Sequence, residues 1–235
     1  MRKHFFNEDY FEVIDSEQKA YWLGFISADG SVTKTSKWNS YRLQINLHQS
    51  DKDHLELFKK HIGASTSDIY DFENDSSSRG FGKSDMSRFV LNSIKLYGDL
   101  NRLNVTINKT DSIVMPNLRK DLIRHYIRGF IDGDGSFSYV PRKDVEGKYR
   151  FSFEIVGNSR IIFEQFQDYF MRKGVKLNIY QRKNGNSFRL MSASHGNIIK
   201  LSNIIYNDAT VYLKRKYEKS QDIKSLAYCT RNLTA

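Results

Sequence analysis

Two aspartates in nearly identical surroundings are the strongest candidates for chemistry. Asp29 lies near the end of the segment YWLGFISADGS, residues 21–31, and Asp134 occupies the same place in YIRGFIDGDGS, residues 126–136. Eight of the eleven positions are identical or nearly so, which indicates an internal duplication. If the fold brings the two carboxylates together, they offer the oxygen ligands that a divalent cation such as Mg²⁺ prefers.

The segments that carry these aspartates have the spacing of closely packed helices. Gly24 and Ala28 are four residues apart, as are Gly129 and Gly133, so each pair leaves a helix stripe almost bare of side chains. Two such stripes can approach closely, and the two aspartates would then lie at the same end of the helix pair. There the negative helix ends and the like charges are unfavourable. A bound cation would compensate for both.

Three other interpretations of these residues are weaker. An Asp-Gly-Ser sequence after a helix can be a plain turn, but two copies with matching helix faces argue against it. A calcium loop starting at DGDGS, residues 132–136, would place Phe137 where glycine is needed and Lys143 where glutamate is needed. A two-carboxylate glycosidase is disfavoured by the small-residue helix faces and the basic strands.

The elements that must position the aspartates follow the same order in both halves. The alternating sequences YRLQINL, residues 41–47, and YRFSFEI, residues 149–155, predict half-buried strands. Residues 71–85 are predicted as a mobile loop. Helices are predicted at 16–28, 51–62, 92–102, 117–133, 159–171 and 195–206. Hairpins are predicted at 31–49, at 136–156 and around a turn at 183–186.

These elements predict an α+β fold made of two related αββαββα units. The first unit spans residues 1–115, with a connector at 103–115. The second spans residues 116–235, with a tail after residue 218 that is expected to be partly flexible. Each unit would contribute one aspartate and the strands of one antiparallel sheet.

The composition favours a nucleic-acid partner. The chain of 235 residues holds 37 Lys and Arg against 27 Asp and Glu, a net charge of +10. The single cysteine excludes an internal disulfide framework and a cysteine-cluster zinc site. Because the sequence has neither an apolar run of bilayer length nor a signal peptide, we expect an intracellular, cytoplasmic protein without a membrane partner.

The basic charge is uneven along the chain. Residues 1–115 contain 15 basic and 16 acidic side chains, a net charge of −1, whereas residues 116–235 contain 22 and 11, a net charge of +11. We therefore expect the second half to supply most of the salt-dependent affinity for phosphates.

With these features in view, GFISADG and GFIDGDG resemble the motif of the LAGLIDADG homing endonucleases, in particular the single-chain members with two motifs. The resemblance covers nearly the whole chain. It implies saddle-shaped antiparallel sheets joined at the paired motif helices, with the four small residues at their interface. It also implies that Asp29 and Asp134 bind the catalytic metals together with the carbonyls of Ala28 and Gly133. The implied cofactor is Mg²⁺, with Mn²⁺ as a substitute and Ca²⁺ supporting binding without cleavage.

Further site residues follow from the resemblance. Gln44 matches a family position that organises water near the metals, and its partner in the second half is either Ser152 or Glu154. The sixth motif letter, which is not a metal ligand in the family, is Ser27 in the first copy and Asp132 in the second, where a local polar contact or a cap is expected. The family also places a lysine near each scissile phosphate. The candidates are Lys109, Lys214 and Lys216.

Residues of one parity in the predicted strands face away from the core. Arginine, glutamine and asparagine can read base edges in the major groove, into which a two-stranded ribbon fits. The residues predicted to contact DNA are Lys34, Lys37, Arg42, Gln44, Asn46, His48, Arg142, Arg150, Ser152, Glu154, Asn178, Tyr180, Arg182 and Arg189.

The resemblance implies a site-specific homing endonuclease of the kind associated with intron homing, and it leaves open whether the host element is free-standing, an intron or an intein. Such an enzyme makes metal-dependent double-strand breaks with cohesive ends in a long, asymmetric DNA target, which it reads as a monomer. Two alternatives share the fold: an RNA-splicing maturase, whose ligand is structured intron RNA, and a sequence-specific DNA-binding regulator that does not cut.

Overall fold

The structure is a computed structural model that describes residues 5–35, 40–75, 77, 82–145, 147–182 and 185–232. Lys37 and residues 183–184 of the predicted turn lie outside the described residues.

The first half begins with the motif helix. This helix starts after Ser16, whose hydroxyl accepts a hydrogen bond from the backbone nitrogen of Lys19 at 3.4 Å. Ser93 caps the last helix of this half in the same way, by accepting from the backbone nitrogen of Leu96. The elements are α1 (Glu17–Asp29), β1 (Gly30–Lys34), β2 (Tyr41–His48), α2 (Lys52–His61), β3 (Ile69–Asp75), β4 (Lys83–Asn92) and α3 (Ile94–Arg102).

The second half repeats this order and adds one helix. The elements are α4 (Ile123–Asp134), β5 (Gly135–Pro141), β6 (Tyr149–Gly157), α5 (Arg160–Met171), β7 (Asn178–Gln181), β8 (Phe188–Ser192), α6 (His195–Tyr206) and α7 (Lys214–Asn232). Among the described residues, no helix is both long enough and apolar enough to cross a bilayer.

Each half contains one four-stranded antiparallel sheet. The strand order is β1-β2-β4-β3 in the first and β5-β6-β8-β7 in the second. The alternation that the sequence showed decides which side is buried: Leu43, Ile45 and Leu47 pack under the first sheet, while the residues between them point the other way. The α+β class and the two-sheet architecture are therefore as predicted.

The prediction of a mobile loop at 71–85 was wrong. Strands β3 and β4 occupy much of it and pair in register from Ile69 opposite Phe89 to Asp75 opposite Lys83. Strand β3 is an edge strand with most of its side chains exposed, so its composition resembles that of a loop. Backbone pairing with β4 holds it in place.

Two helix boundaries also differ from expectation. Helix α4 begins at Ile123 rather than at residue 117, because the chain first makes a turn in which the nitrogen of Leu122 donates to the carbonyl of Arg119. The tail expected to be partly flexible after residue 218 is helical as far as Asn232, within α7. Ile223 is completely buried, and this contact with the core explains the ordered helix.

Candidate active site

The two motif helices pack at backbone distance. A Cβ atom added at Gly24 would lie 1.9 Å from the carbonyl oxygen of Tyr126, and one added at Gly129 would lie 1.9 Å from that of Tyr21. Further along the interface, a Cβ at Gly133 would lie 2.4 Å from the Cβ of Ala28. The structure thus brings all four predicted interface residues into this contact, and larger side chains would force the helices apart.

The close contact delivers both aspartates to one end of the helix pair. Asp29 and Asp134 are the last residues of their helices, and a Cβ on Gly133 would lie 3.5 Å from the Cγ of Asp29. The glycines that follow have extended backbones, with φ of −74° at Gly30 and −81° at Gly135. Glycine is needed at these positions because the preceding helical turn leaves no room for a side chain: a Cβ at Gly30 would lie 2.6 Å from a helix carbonyl oxygen.

The electrostatics of this end favour a cation. Burial, and after it the neighbouring Asp134 carboxylate, raise the pKa of Asp29 to about 6. The Asp134 side chain reaches solvent on its open side, yet the protein atoms around it still raise its pKa by desolvation. The cations Lys109 and Lys216 oppose this rise in the pKa of both aspartates.

Each aspartate has a lysine on the backbone carbonyl just before it. The Nζ atom of Lys109 donates to the carbonyl of Ala28 at 3.3 Å. The Nζ atom of Lys216 donates to the carbonyl of Gly133 and, at 3.2 Å, to that of Ile131. The two lysines therefore occupy equivalent places in the two halves. Burial lowers the pKa of Lys109, and burial and Arg215 lower that of Lys216 to about 8 against the opposing pull of the nearby acids.

The structure separates the two lysine candidates that the sequence left open in the second half. Lys216 is only 6% exposed, and its Nζ atom binds the carbonyl of Gly133, the residue before Asp134. The side chain of Lys214 is 85% exposed and lies 3.9 Å from Glu218. Lys214 is therefore on the outer surface of α7, away from the site.

The strand register resolves the partner of Gln44. Ser31 lies opposite Gln44, and the equivalent residue of the second motif, Ser136, lies opposite Glu154. Glu154 is therefore the structural counterpart of Gln44. Ser152 instead corresponds to Arg42, since it lies opposite Ser138, two residue pairs further from the motif, as Arg42 lies opposite Thr33.

Most of the described residues predicted to contact DNA lie on the sheet faces turned away from the core, and several already make side-chain contacts. Glu154 and Arg189 form an ion pair of 2.9 Å. Arg42 donates to Asn92 at 3.4 Å. Other predicted residues, Lys34, His48, Arg150, Asn178, Tyr180 and Arg182, are exposed on strands or at their ends. Arg142 is paired with Asp144 next to the β5–β6 hairpin turn.

The sequence reasoning missed part of the first sheet because it treated β3 as a loop. Arg88 lies opposite Asn46, donates to its Oδ1 atom at 3.0 Å and stacks over the ring of Phe72 at 4.3 Å. Tyr70 lies opposite Arg88, as Tyr180 lies opposite Arg189 in the second sheet. The repeat itself held the signal: SRFVL at 87–91 and SFRLM at 187–191 are the corresponding strands. Tyr70, Phe72 and Arg88 line an open groove of about 460 Å³ on the first sheet, together with Arg42 and Gln44.

Asp132 also differs from expectation, since its contacts are neither local nor those of a cap. Its carboxylate is completely buried and accepts hydrogen bonds from the hydroxyls of Tyr21 and Tyr206 and from the backbone nitrogen of Leu213. In the mirror position, Ser27 lies near the hydroxyl of Tyr126, and neither hydroxyl makes a hydrogen bond within the described residues. The sequence offered no signal for this network, because its members are far apart along the chain.

Comparison with known proteins agrees with this geometry. Residues 121–206 match the family model described as a LAGLIDADG-like domain. The structure of the I-SmaMI LAGLIDADG homing endonuclease bound to cleaved DNA is similar, with a TM-score of 0.63 and 15% identity over 94% of this chain and 91% of that one. I-SmaMI bound to uncleaved DNA with calcium ions gives a TM-score of 0.61 and 15% identity over 94% and 93%.

A second endonuclease gives a similar result. The LAGLIDADG meganuclease I-AabMI bound to uncleaved DNA matches with a TM-score of 0.60 and 14% identity over 91% of each chain. No curated protein sequence matches this chain. The resemblance seen in the two motifs is thus confirmed: residues 121–206 match a LAGLIDADG-like domain, and the chain has the fold of the single-chain LAGLIDADG homing endonucleases.

Proposed function

We propose that this protein is a divalent-metal-dependent homing endonuclease that cuts both strands of a long, asymmetric DNA target and leaves cohesive ends. One observation carries the proposal: Asp29 and Asp134 lie together at the ends of the motif helices, each beside a lysine. Phosphodiester cleavage at neutral pH needs clustered oxygen ligands and positive charge of this kind.

The donor set fits Mg²⁺. Two carboxylates and the carbonyl oxygens of Ala28 and Gly133 are hard ligands, and Mg²⁺ is commonly held by one or two carboxylates plus substrate phosphates and water. In the described ranges, no group of three or more His, Cys, Asp or Glu side chains could hold a metal by itself. A bound cation here would activate water and neutralise charge on the phosphate. We expect Mn²⁺ to substitute and Ca²⁺ to support binding without cleavage.

The chain's own side chains supply the rest of the chemistry. Lys109 and Lys216 hold positive charge where the scissile phosphates would lie, and their partial burial strengthens that charge's effect on the transition state. Gln44 and Glu154 lie opposite the serines that follow the aspartates, in position to orient water. Each half of the protein would cleave one strand of the DNA.

The two sheets account for recognition by a monomer. Their outer faces carry different residues at equivalent positions, with Arg42 replaced by Ser152 and Gln44 by Glu154, so the two half-sites must differ in sequence. We propose units of residues 1–115 and 116–235, each reading one half-site. The similar endonucleases I-SmaMI and I-AabMI are bound to DNA in their structures, which supports DNA as the partner.

The test is selection from randomised duplexes, with bound DNA sequenced in Ca²⁺ and cut ends sequenced in Mg²⁺. We expect one long asymmetric site with cohesive ends. Asp29→Asn and Asp134→Asn should abolish double-strand cutting and spare binding. The matched control is Asp208→Asn, an exposed residue whose φ of 57° suits asparagine.

Each other result points to a different protein. Full cutting by either motif variant would refute the assignment of these aspartates. Specific binding without cutting by the unaltered protein would indicate a regulator. If the protein neither binds nor cuts DNA, binding to structured intron RNA, the maturase ligand, should be measured next.

A further inference from the structure

The buried carboxylate of Asp132 accepts three hydrogen bonds that join distant parts of the chain. Tyr21 of α1 donates at 2.8 Å, Tyr206 of α6 donates at 2.5 Å, and the backbone nitrogen of Leu213 donates at 2.8 Å. Asp132 is 0% exposed. A carboxylate buried this deeply is costly unless its oxygens are satisfied, and here both oxygens are.

The contact with Leu213 leads directly to the site. The carbonyl of Leu213 accepts hydrogen bonds from the nitrogens of Lys216 and Tyr217, at 3.1 and 3.0 Å, and so opens the first turn of α7. The Lys216 side chain then returns to the carbonyls of Ile131 and Gly133, the two neighbours of Asp132. Asp132 therefore holds the backbone that carries Lys216.

The same turn is attached to the other half of the protein. Arg215 donates to the buried carboxylate of Asp51 at 2.7 Å, and Asp51 lies in the turn between β2 and α2. The start of α7 is thus held from both halves, through Leu213 and Arg215, immediately beside Lys216.

Within its described residues, the first half has no counterpart of this arrangement. Ser27 occupies the position equivalent to Asp132, and its side chain faces the hydroxyl of Tyr126. Lys109 lies in a short 3-10 helix, Lys109–Asp111, entered through Asn108 at a left-handed φ of 59° without a side-chain cap. The two lysines reach equivalent places, but only one is supported by a buried acid.

We infer that Asp132 is a positioning residue for Lys216 and that the two DNA strands therefore depend on it unequally. This inference rests on the proposed nuclease function. Asp132 does not contact the phosphate; it acts by fixing the backbone of Leu213. A purely structural role would affect both strands equally, so the ratio of the two cutting rates separates the two roles.

The first experiment measures the cutting of each strand separately, on a plasmid carrying the selected site. Asp132→Ser places in the second half the residue that the first half has at this position. Lys216→Ala and Lys109→Ala show which strand each lysine serves. We expect Asp132→Ser to slow cutting of the DNA strand that Lys216 serves by about tenfold or more. Cutting of the other strand should stay within about twofold of the unaltered rate, so that nicked circles accumulate.

Two more variants act as controls. Ser27→Ala makes a change of similar kind in the mirror position and should leave the strand ratio unchanged. Asp132→Asn keeps the size of the side chain and an oxygen for Leu213, so its shift in the ratio should be smaller. It also provides a folded variant if the serine variant is unstable.

The second experiment needs neither DNA nor metal. Competitive lysine acetylation, read by mass spectrometry, should modify Lys216 much more slowly than Lys214 in the unaltered protein, since Lys216 is buried. In Asp132→Ser or Asp132→Asn, acetylation of Lys216 should rise severalfold while that of Lys109 stays the same.

The two readouts separate the possible failures. Equal slowing of both strands, or a bias towards the Lys109 strand, would overturn the inference, and so would unchanged Lys216 acetylation. If the unaltered protein cuts nothing while Lys216 acetylation rises as expected, the positioning stands and the proposed nuclease function is what fails.

Discussion

Gly24 lies against the backbone of Tyr126 so closely that a single Cβ atom would lie 1.9 Å from the tyrosine carbonyl oxygen. Gly129 makes the reciprocal contact with Tyr21. Because these two contacts set the separation of the motif helices, they also set the separation of the two aspartates at the helix ends. The spacing of the two aspartates is thus a consequence of backbone packing.

Adding one methyl group at this contact should be strongly destabilising. We expect Gly24→Ala or Gly129→Ala to lower the free energy of unfolding by about 3 kcal/mol, since the neighbouring atoms are backbone and cannot rotate away. Urea unfolding measures the effect. Gly98→Ala is the control, because Gly98 lies in α3 with no atom within 4 Å of the added Cβ, and should be neutral or stabilising by up to about 1 kcal/mol. Equal effects at Gly24 and Gly98 would contradict the packing.

The position of Lys216 predicts a contrast with Lys214, two residues earlier. Lys216→Ala should slow the cutting of one strand by about 100-fold, because it removes a charge beside the aspartates. Lys214→Ala removes the same charge from the outer surface of α7 and should keep the cutting rate within about twofold. Binding in Ca²⁺ serves as the control for folding. A loss of cutting in Lys214→Ala would show that the structure assigns the wrong lysine.

The ion pair on the second sheet predicts that removing its acid raises the affinity for DNA and lowers the discrimination between DNA sequences. Glu154 lies 2.9 Å from Arg189 on the face that would meet DNA. Glu154→Gln removes a negative charge and frees Arg189 for a phosphate, so binding to random DNA should strengthen and its salt slope should steepen by about one unit. Titrations at several salt concentrations measure this slope. Ser152→Ala, on the same strand, should leave it unchanged.

Arg88 predicts a specific loss of base recognition in the first half-site. Its guanidinium is held by Asn46 and Phe72, which fixes the direction in which it can reach a base. Arg88→Ala should cost about 1–3 kcal/mol on the preferred target and relax the base preference at one or two positions. Arg119→Ala, an exposed arginine paired with Asp121, is the control and should change neither quantity. A uniform loss over all sequences would mean that Arg88 contacts phosphate instead.

The buried His54 predicts a dependence of stability on pH. Burial, together with the nearby cations, lowers its pKa to about 3, and its Nε2 atom lies 2.8 Å from the hydroxyl of Tyr21. Between about pH 6.5 and 3 the unfolded chain takes up a proton here that the folded protein does not. His54 thus favours folding fully above pH 6.5, and this contribution falls by about 1.4 kcal/mol for each pH unit below that.

The measurement compares unfolding free energies of the unaltered protein and His54→Gln from pH 7.5 to 5. The difference between the two is the useful quantity, because buried acids such as Asp29 shift stability in the opposite direction. The advantage of the unaltered protein should shrink as the pH falls. Parallel curves would show that His54 titrates normally.

Strand parity could be predicted from the sequence because it depends only on neighbouring residues. Leu43, Ile45 and Leu47 alternate with polar residues, and their burial follows the pattern. Strand β3 could not be recognised this way, because an edge strand with two solvated sides has no alternation to detect. Its pairing with β4 is a non-local property.

The sequence by itself determined the repeat, the two motif helices, the two aspartates and the basic charge, because motif, spacing and composition are local properties of the chain. Only the tertiary structure decided that Lys216 rather than Lys214 reaches the site, that Glu154 is the counterpart of Gln44, and that Asp132 holds Leu213. Each of these depends on where a distant segment folds back onto the motif helices or on how strands register. Such contacts leave no periodic trace in a single sequence.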